Sequence, residues 1–267
     1  MKPIDDLLEI MRTLRDPDKG CRWDQQQTIE TILPHTLEEI AELVEAIEQN
    51  DIHAISDELG DILFHIVYYA QLAEEAGHFN FQTVTEGINA KLRRRHPHVF
   101  ADSKIDTVEQ QSIAWEQIKQ RERKQRANIS DVNVSLLDGI SLKLPAMICA
   151  HKLQRRAATV GFDWGGIEPV LCKIEEEINE LRQEIENGAD KAKVMDEFGD
   201  LLFACVNFAR HTEIDAELAL RKTNRKFTER FKFIEQALAA KNKSLTDASL
   251  DEMEALWQHA KAVSRQA

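Results

Sequence analysis

One pattern occurs twice in this chain, so whatever fold it adopts must be adopted twice. Leu37-Glu38-Glu39-Ile40-Ala41-Glu42-Leu43 returns as Glu175-Glu176-Glu177-Ile178-Asn179-Glu180-Leu181. Asp57-Glu58-Leu59-Gly60-Asp61-Ile62-Leu63-Phe64 returns as Asp196-Glu197-Phe198-Gly199-Asp200-Leu201-Leu202-Phe203. The offset is 138 residues from Glu38 to Glu176 and 139 from Asp57 to Asp196. Other pairs keep the same order. Cys21-Arg22-Trp23-Asp24 precedes the first acidic block as Gly161-Phe162-Asp163-Trp164 precedes the second. Asn89-Ala90-Lys91 with Arg95 answers Asn224-Arg225-Lys226 with Arg230, and Trp115 answers Trp257. Chance explains one such match; a series in fixed order points to duplication.

Both copies read as helices. Ile174, Ile178, Leu181 and Ile185 recur at helical spacing, and Phe198, Leu201, Leu202, Cys205, Phe208 and Ala209 form the next stripe. Ile40, Leu43, Val44 and Ile47, then Ile62, Phe64, Ile66 and Val67, do the same in the first copy. With only 10 Gly and 6 Pro, long uninterrupted helices are expected, and 2 Tyr speak against a β-sandwich or barrel. Helices are expected over 5–15, 36–50, 52–76, 81–96 and 108–126, then 145–159, 167–187, 190–212, 215–241 and 248–264. The stretch 128–144, mixing Asn, Ser, Asp and Gly, suits a linker. The expectation is an all-α chain of two tandem helical domains, 1–127 and 145–267.

A formal net charge of −13 disfavours bulk nucleic acid and anionic membranes as partners. It leaves small polyanions bridged by a cation. Cys21, Cys149, Cys172 and Cys205 form no C-x-x-C pair and read as reduced thiols, two or three of them in helix cores. The start of the chain lacks an apolar signal region, and the longest apolar stretch, 62–73, is too short to span a bilayer. A cytoplasmic protein is expected.

The repeated acids suggest a metal site. Glu39 and Glu42, and Glu58 and Asp61, are three apart and share a helix face. Glu177 and Glu180, and Glu197 and Asp200, repeat this one residue from the apolar stripes, about 100° around the helix. The acids should therefore border the buried face, and antiparallel packing would converge four carboxylates. Four like charges call for a cation, and oxygen-only donors suit Mg²⁺, Mn²⁺ or Ca²⁺. A single acidic cluster is usually a solvated face; the repetition argues otherwise. Gly60 and Gly199 add weight, because Gly inside a helix costs about 1 kcal/mol. Close approach of a ligand or neighbouring helix would account for them. Lys222, Lys226 and Arg230 supply a basic stripe suited to phosphate.

At these residues the chain resembles the MazG family of the all-α nucleoside triphosphate pyrophosphatase superfamily. The shared mark is E-E-x-x-E, a spacer, then E-x-x-D. It appears as Glu38, Glu39 and Glu42, fifteen residues, then Glu58 and Asp61. It recurs as Glu176, Glu177 and Glu180, sixteen residues, then Glu197 and Asp200. Arg15-Asp16-Pro17, Arg94-Arg95-His96-Pro97-His98-Val99-Phe100 and Val160-Gly161-Phe162-Asp163-Trp164 extend the likeness over nearly the whole chain. The resemblance implies a four-helix-bundle core per domain, a homodimer, and Mg²⁺-dependent release of diphosphate from nucleoside triphosphates of broad specificity. Metal ligands would fall on Glu177, Glu180, Glu197 and Asp200, and in the first copy on Glu39, Glu42, Glu58 and Asp61. Nucleotide contacts would include Lys173, Lys226, Arg230 and Trp257. Glu176 or Glu177 is the candidate to take the proton of the attacking water.

The copies differ in their cations. Lys173 lies one turn before Glu177, whereas His35, mostly neutral at pH 7, precedes Glu39. Pro97 also stops the first basic stripe just after Arg95. The second copy is therefore expected to be the main catalytic one. Two rivals are a ferritin-like di-iron enzyme and a non-catalytic nucleotide-binding regulator. The first needs paired Glu-x-x-His motifs, and only Glu75 and His78 have that spacing. The second uses the same acids, so only an assay separates it.

Overall fold

The computed structural model of the protein describes residues 2–101, 107, 111, 114–115, 118, 122 and 135–263. The chain divides into two compact units, Met1–Arg126 and Ala127–Ala267. The first contains α1 (Pro3–Leu14), α2 (Arg22–Gln26), α3 (Ile29–Gln49), α4 (Ile52–Glu75), α5 (Phe81–Arg95) and α6 (Pro97–Phe100). The second contains α7 (Ala146–Ala158), α8 (Ile167–Glu186), α9 (Lys191–His211), α10 (Ala216–Ala239), a 3₁₀ turn (Leu245–Asp247) and α11 (Leu250–Val263). No strand occurs among the described residues. Most of the helix expected over 108–126 lies outside the described residues, although Gln111, Ala114, Trp115, Ile118 and Glu122 are helical.

Each unit has a four-helix core centred on one helix. In the first, α4 packs against α1, α3 and α5. In the second, α9 packs against α7, α8 and α10, and α11 lies along α10. The duplicated sequence repeats the joints between these helices as well. Asp51 Oδ1 caps α4 by accepting from the amides of His53 at 3.0 Å and Ala54 at 3.1 Å. Asp190 Oδ1 caps α9 in the same way, accepting from Ala192 and Lys193 at 3.1 Å each. Asn80 caps α5, accepting from Thr83 N, and Asp215 caps α10, accepting from Leu218 N. Such caps satisfy amides that a helix start otherwise leaves unbonded. A short link through Asn50, at φ 55, turns α3 back onto α4.

Three expectations need correction. First, α3 begins at Ile29, seven residues before the expected 36. Thr28 is its N-cap, in a reciprocal pair with Thr31, and the helix runs straight through Pro34. Proline there removes only a bond to the carbonyl of Glu30, an exposed first-turn residue that water can satisfy. Second, the apolar stripes are only partly the buried faces, with Val67 and Ala209 in the core but other members outside it. Ile178 and Ile185 are exposed, as are Phe198 and Leu202, whereas Val170 and Glu177 of α8 are buried. Acids occupy the seam between α8 and α9, so the flanking apolar residues are turned outward. Third, Cys149 is the only buried cysteine; Cys21, Cys172 and Cys205 are exposed, and all four are free.

Candidate metal and nucleotide site

The seam between α8 and α9 gathers one oxygen each of Glu177, Glu197 and Asp200 within 4.8 Å of one another. The seam between α3 and α4 does the same with Glu39, Glu42 and Glu58. Asp61 and Glu180 fall outside these trios. Lost hydration, followed by the charges of Asp61, Glu42 and Glu38, pushes the Glu39 carboxyl above its ordinary range. Glu58 is pushed the same way by lost hydration, then by Glu42, Glu39 and Asp61. Glu180 is raised by lost hydration and then chiefly by Glu177. Like charges are thus held together at cost, and one Glu58 oxygen is buried without a hydrogen-bond partner. An oxygen-only donor set with an unpartnered oxygen fits a hard divalent cation.

The copies differ in compensation. Lys173 Nζ lies 2.7 Å from Glu177 and 2.8 Å from Glu176, and these bonds raise its pKa. His35, in the matching place, approaches Glu38 at 3.8 Å. Glu177 is buried, whereas the Glu176 side chain is more than half exposed. Lys226, Arg230 and Trp257 gather on α10 and α11. The Arg230 guanidinium lies 5.4 Å from the centre of the Trp257 ring, which also packs on Phe227 at 5.3 Å. Arg95 stands at the same 5.4 Å from Trp115, so the duplication preserves this contact too. Trp257 therefore has ring partners of its own, and Lys226 is exposed one turn before Arg230. Of the four expected nucleotide-binding residues, Lys173 is the one that touches a site carboxylate in the described contacts.

A Cβ built on Gly60 or Gly199 would meet nothing within 4 Å. Close approach by another part of the chain is not what these glycines permit. The Glu75 and His78 pairing is also set aside, because the Glu75 carboxylate is held by Arg15, with Nε to Oε1 at 2.8 Å.

Farther along α9, the repeated Gly161-Phe162-Asp163-Trp164 segment is tied to the helix by contacts that its sequence does not announce. Asp163 accepts from Arg210 and pairs with His211 Nε2 at 3.1 Å, clamping the 161–164 loop onto α9. Burial pushes Asp163 up, but these bonds outweigh it and hold its carboxyl below the usual range. Beneath the loop lies a cavity of about 450 Å³ lined by Gln154, Phe162, Trp164, Phe203 and Asn207 among others. The available signal was periodicity: Phe203, Asn207 and Arg210 continue the face of α9 that carries Glu197 and Asp200.

Comparison with known proteins gives one answer. The pattern of the "MazG nucleotide pyrophosphohydrolase domain" matches residues 27–100 and again 167–234. "Nucleoside triphosphate pyrophosphohydrolase" of Escherichia coli (strain K12) is 48% identical over 98% of both chains. "Nucleoside triphosphate pyrophosphohydrolase/pyrophosphatase MazG" of Thermotoga maritima is 40% identical, over 97% of this chain and 95% of that one. A solved structure, of a mazG-related protein from Thermotoga maritima, is 30% identical over 43% of this chain and 98% of that chain, with TM-score 0.38.

Proposed function

The chain belongs to the MazG nucleotide pyrophosphohydrolase family, and we propose that it converts nucleoside triphosphates to monophosphate and diphosphate at its second carboxylate cluster. The observation that carries this placement is the acid seam of α8 and α9, with buried Glu177 paired to Lys173. Glu177, Glu180, Glu197 and Asp200 would hold Mg²⁺, with Mn²⁺ as a substitute. When bound, the cation neutralises phosphate charge and orients the attacking water. The protein's own groups do the remaining work. Lys173 sits where it can transfer from Glu176 and Glu177 to an incoming phosphate. That transfer frees Glu176, on the exposed side, to accept a proton from water. Arg230 and Lys226, on α10, are the further phosphate contacts in this reading.

Two coarser features extend the reading. The outward-facing Ile178, Ile185, Phe198 and Leu202 suit burial against a second copy, which favours a homodimer. No helix among the described residues is long and apolar enough to cross a membrane, and the thiols are free, in keeping with a cytoplasmic site of action.

The test is a mixed nucleoside triphosphate pool with Mg²⁺, resolved by chromatography. Monophosphate plus diphosphate is expected. Diphosphate nucleotide plus phosphate, or no turnover, would leave a nucleotide-binding regulator as the better description.

A further inference from the structure

We propose that the first copy holds a transition-metal ion of the Zn²⁺ or Co²⁺ kind on His35, Asp61 and His65, a site that the second copy lacks. The register of α3 against α4 leads to it. The two helices pack together and run back on each other about the turn at Asn50. Residues equally far from Asn50 therefore face one another: Glu42 and Glu58 at eight residues, Glu39 and Asp61 at eleven, His35 and His65 at fifteen. Each facing pair is close enough to interact electrostatically. The seam thus has two rungs of acids and a third of imidazoles. In the second copy the third rung is Lys173 and Ala204, at offsets of 138 and 139. Neither an ammonium nor a methyl group can bind a cation.

His65 adds an observation that the acids do not supply. It is 6% exposed, and its Nδ1 is buried without a hydrogen-bond partner. A buried polar atom left unpaired is costly, and a metal ion would satisfy it. Burial, then His35 across the seam, pushes the His65 pKa down, so the ring is the neutral imidazole that metals bind. Asp61 lies one turn before His65 on α4, and i, i+4 is a spacing at which two side chains of one helix grip one ion. His35 is the third arm. Its side chain is 49% exposed and approaches Glu38 only at 3.8 Å, so the ring can turn into the seam. Among the described residues, His35, Asp61 and His65 are not drawn within 4.8 Å of one another as Glu39, Glu42 and Glu58 are, and rotation of His35 is what closes the set.

The donor set decides the ion. Two nitrogens and one carboxylate oxygen, with water in the fourth place, suit tetrahedral Zn²⁺. Imidazole favours Zn²⁺ and Co²⁺ over Mn²⁺, and Mg²⁺ prefers oxygen throughout. The ion therefore differs in kind from the one that the carboxylate trio suits. Its ligands come from two helices, so an occupied site ties α3 to α4 and favours the folded first unit. The proposal draws on nothing in the reading of the second cluster, and it would stand if the chain cleaved no nucleotide.

The test reads metal binding and not turnover. The full chain is stripped of metal, its exposed thiols are alkylated, and Co²⁺ is titrated in excess Mg²⁺ that fills the oxygen sites. One Co²⁺ per chain is expected, with the visible absorption of an imidazole-bound ion. His65→Gln and His35→Ala should each weaken Co²⁺ binding at least fivefold. His35 is exposed, so His35→Ala carries the test alone if His65→Gln does not fold. Zn²⁺, added in the same excess of Mg²⁺, should raise the unfolding midpoint of the wild type and leave that of His35→Ala unmoved. No Co²⁺ uptake by the wild type, a loss below fivefold in either folded variant, or equal stabilisation of wild type and His35→Ala by Zn²⁺ overturns the site.

Discussion

At the scale of single residues, the acid seam makes sharp predictions. Glu180→Gln should lower kcat/KM for triphosphates at least tenfold, because a site carboxylate becomes a neutral amide. Glu42→Gln should cost less, and steady-state kinetics of the two variants side by side would reverse the ranking of the copies if Glu42→Gln proved the worse. The glycines carry a prediction of the opposite sign. With open space at the Cβ of Gly60 and Gly199, alanine fits both helices. Gly60→Ala and Gly199→Ala should each stabilise the chain by about 0.5–1 kcal/mol, read as a rise in the denaturation midpoint. A loss of stability would show that something outside this chain's described contacts presses on that face. The acids themselves were legible in the sequence because they repeat. The clasp of Asp163 by Arg210 and His211 was not, because a long-range ion pair carries no signature until the fold brings its ends together.

At the scale of elements, the caps and the ion pairs around each core set the response to mutation and acid. Asp190→Ala removes the oxygen that two amides of α9 share, and should cost about 1 kcal/mol in denaturant melts. In the first unit, Glu122 binds Arg95 and Arg94, its Oε2 2.6 Å from Arg95 Nη2. These bonds, Arg95 first, outweigh burial and hold its carboxyl at about 2, and Arg15 likewise holds Glu75 below its ordinary value. Depressed carboxyls contribute stability that is complete above the unfolded value near 4.5. That contribution drains away as pH falls toward 2. Acid unfolding followed by circular dichroism should therefore steepen between about pH 4.5 and 2, and Glu122→Gln should flatten it. Helix positions were mostly legible, since α5 and α8 begin where 3.6-residue periodicity placed them. The start of α3 was hidden because Pro34 and Thr36 imitate a helix beginning, while the true cap is Thr28. The outward turn of Ile178 and Phe198 was hidden for another reason. Periodicity finds an apolar face without saying whether the same chain covers it.

At the scale of the whole molecule, that uncovered face predicts association. Phe198→Glu should shift the protein to a smaller species in size-exclusion chromatography with light scattering. An unchanged mass would separate the exposed stripe from self-association. The lysine at one seam and the histidine at the other have a consequence for stoichiometry. Two acid seams occur among the described residues, but only the second has a lysine clasped to its buried carboxylate, so the two halves keep different inventories. Calorimetric titration should find Mn²⁺ bound at two places per chain and α,β-methylene-ATP at one. The duplication would then have doubled the protein's capacity for ions while leaving its capacity for nucleosides single.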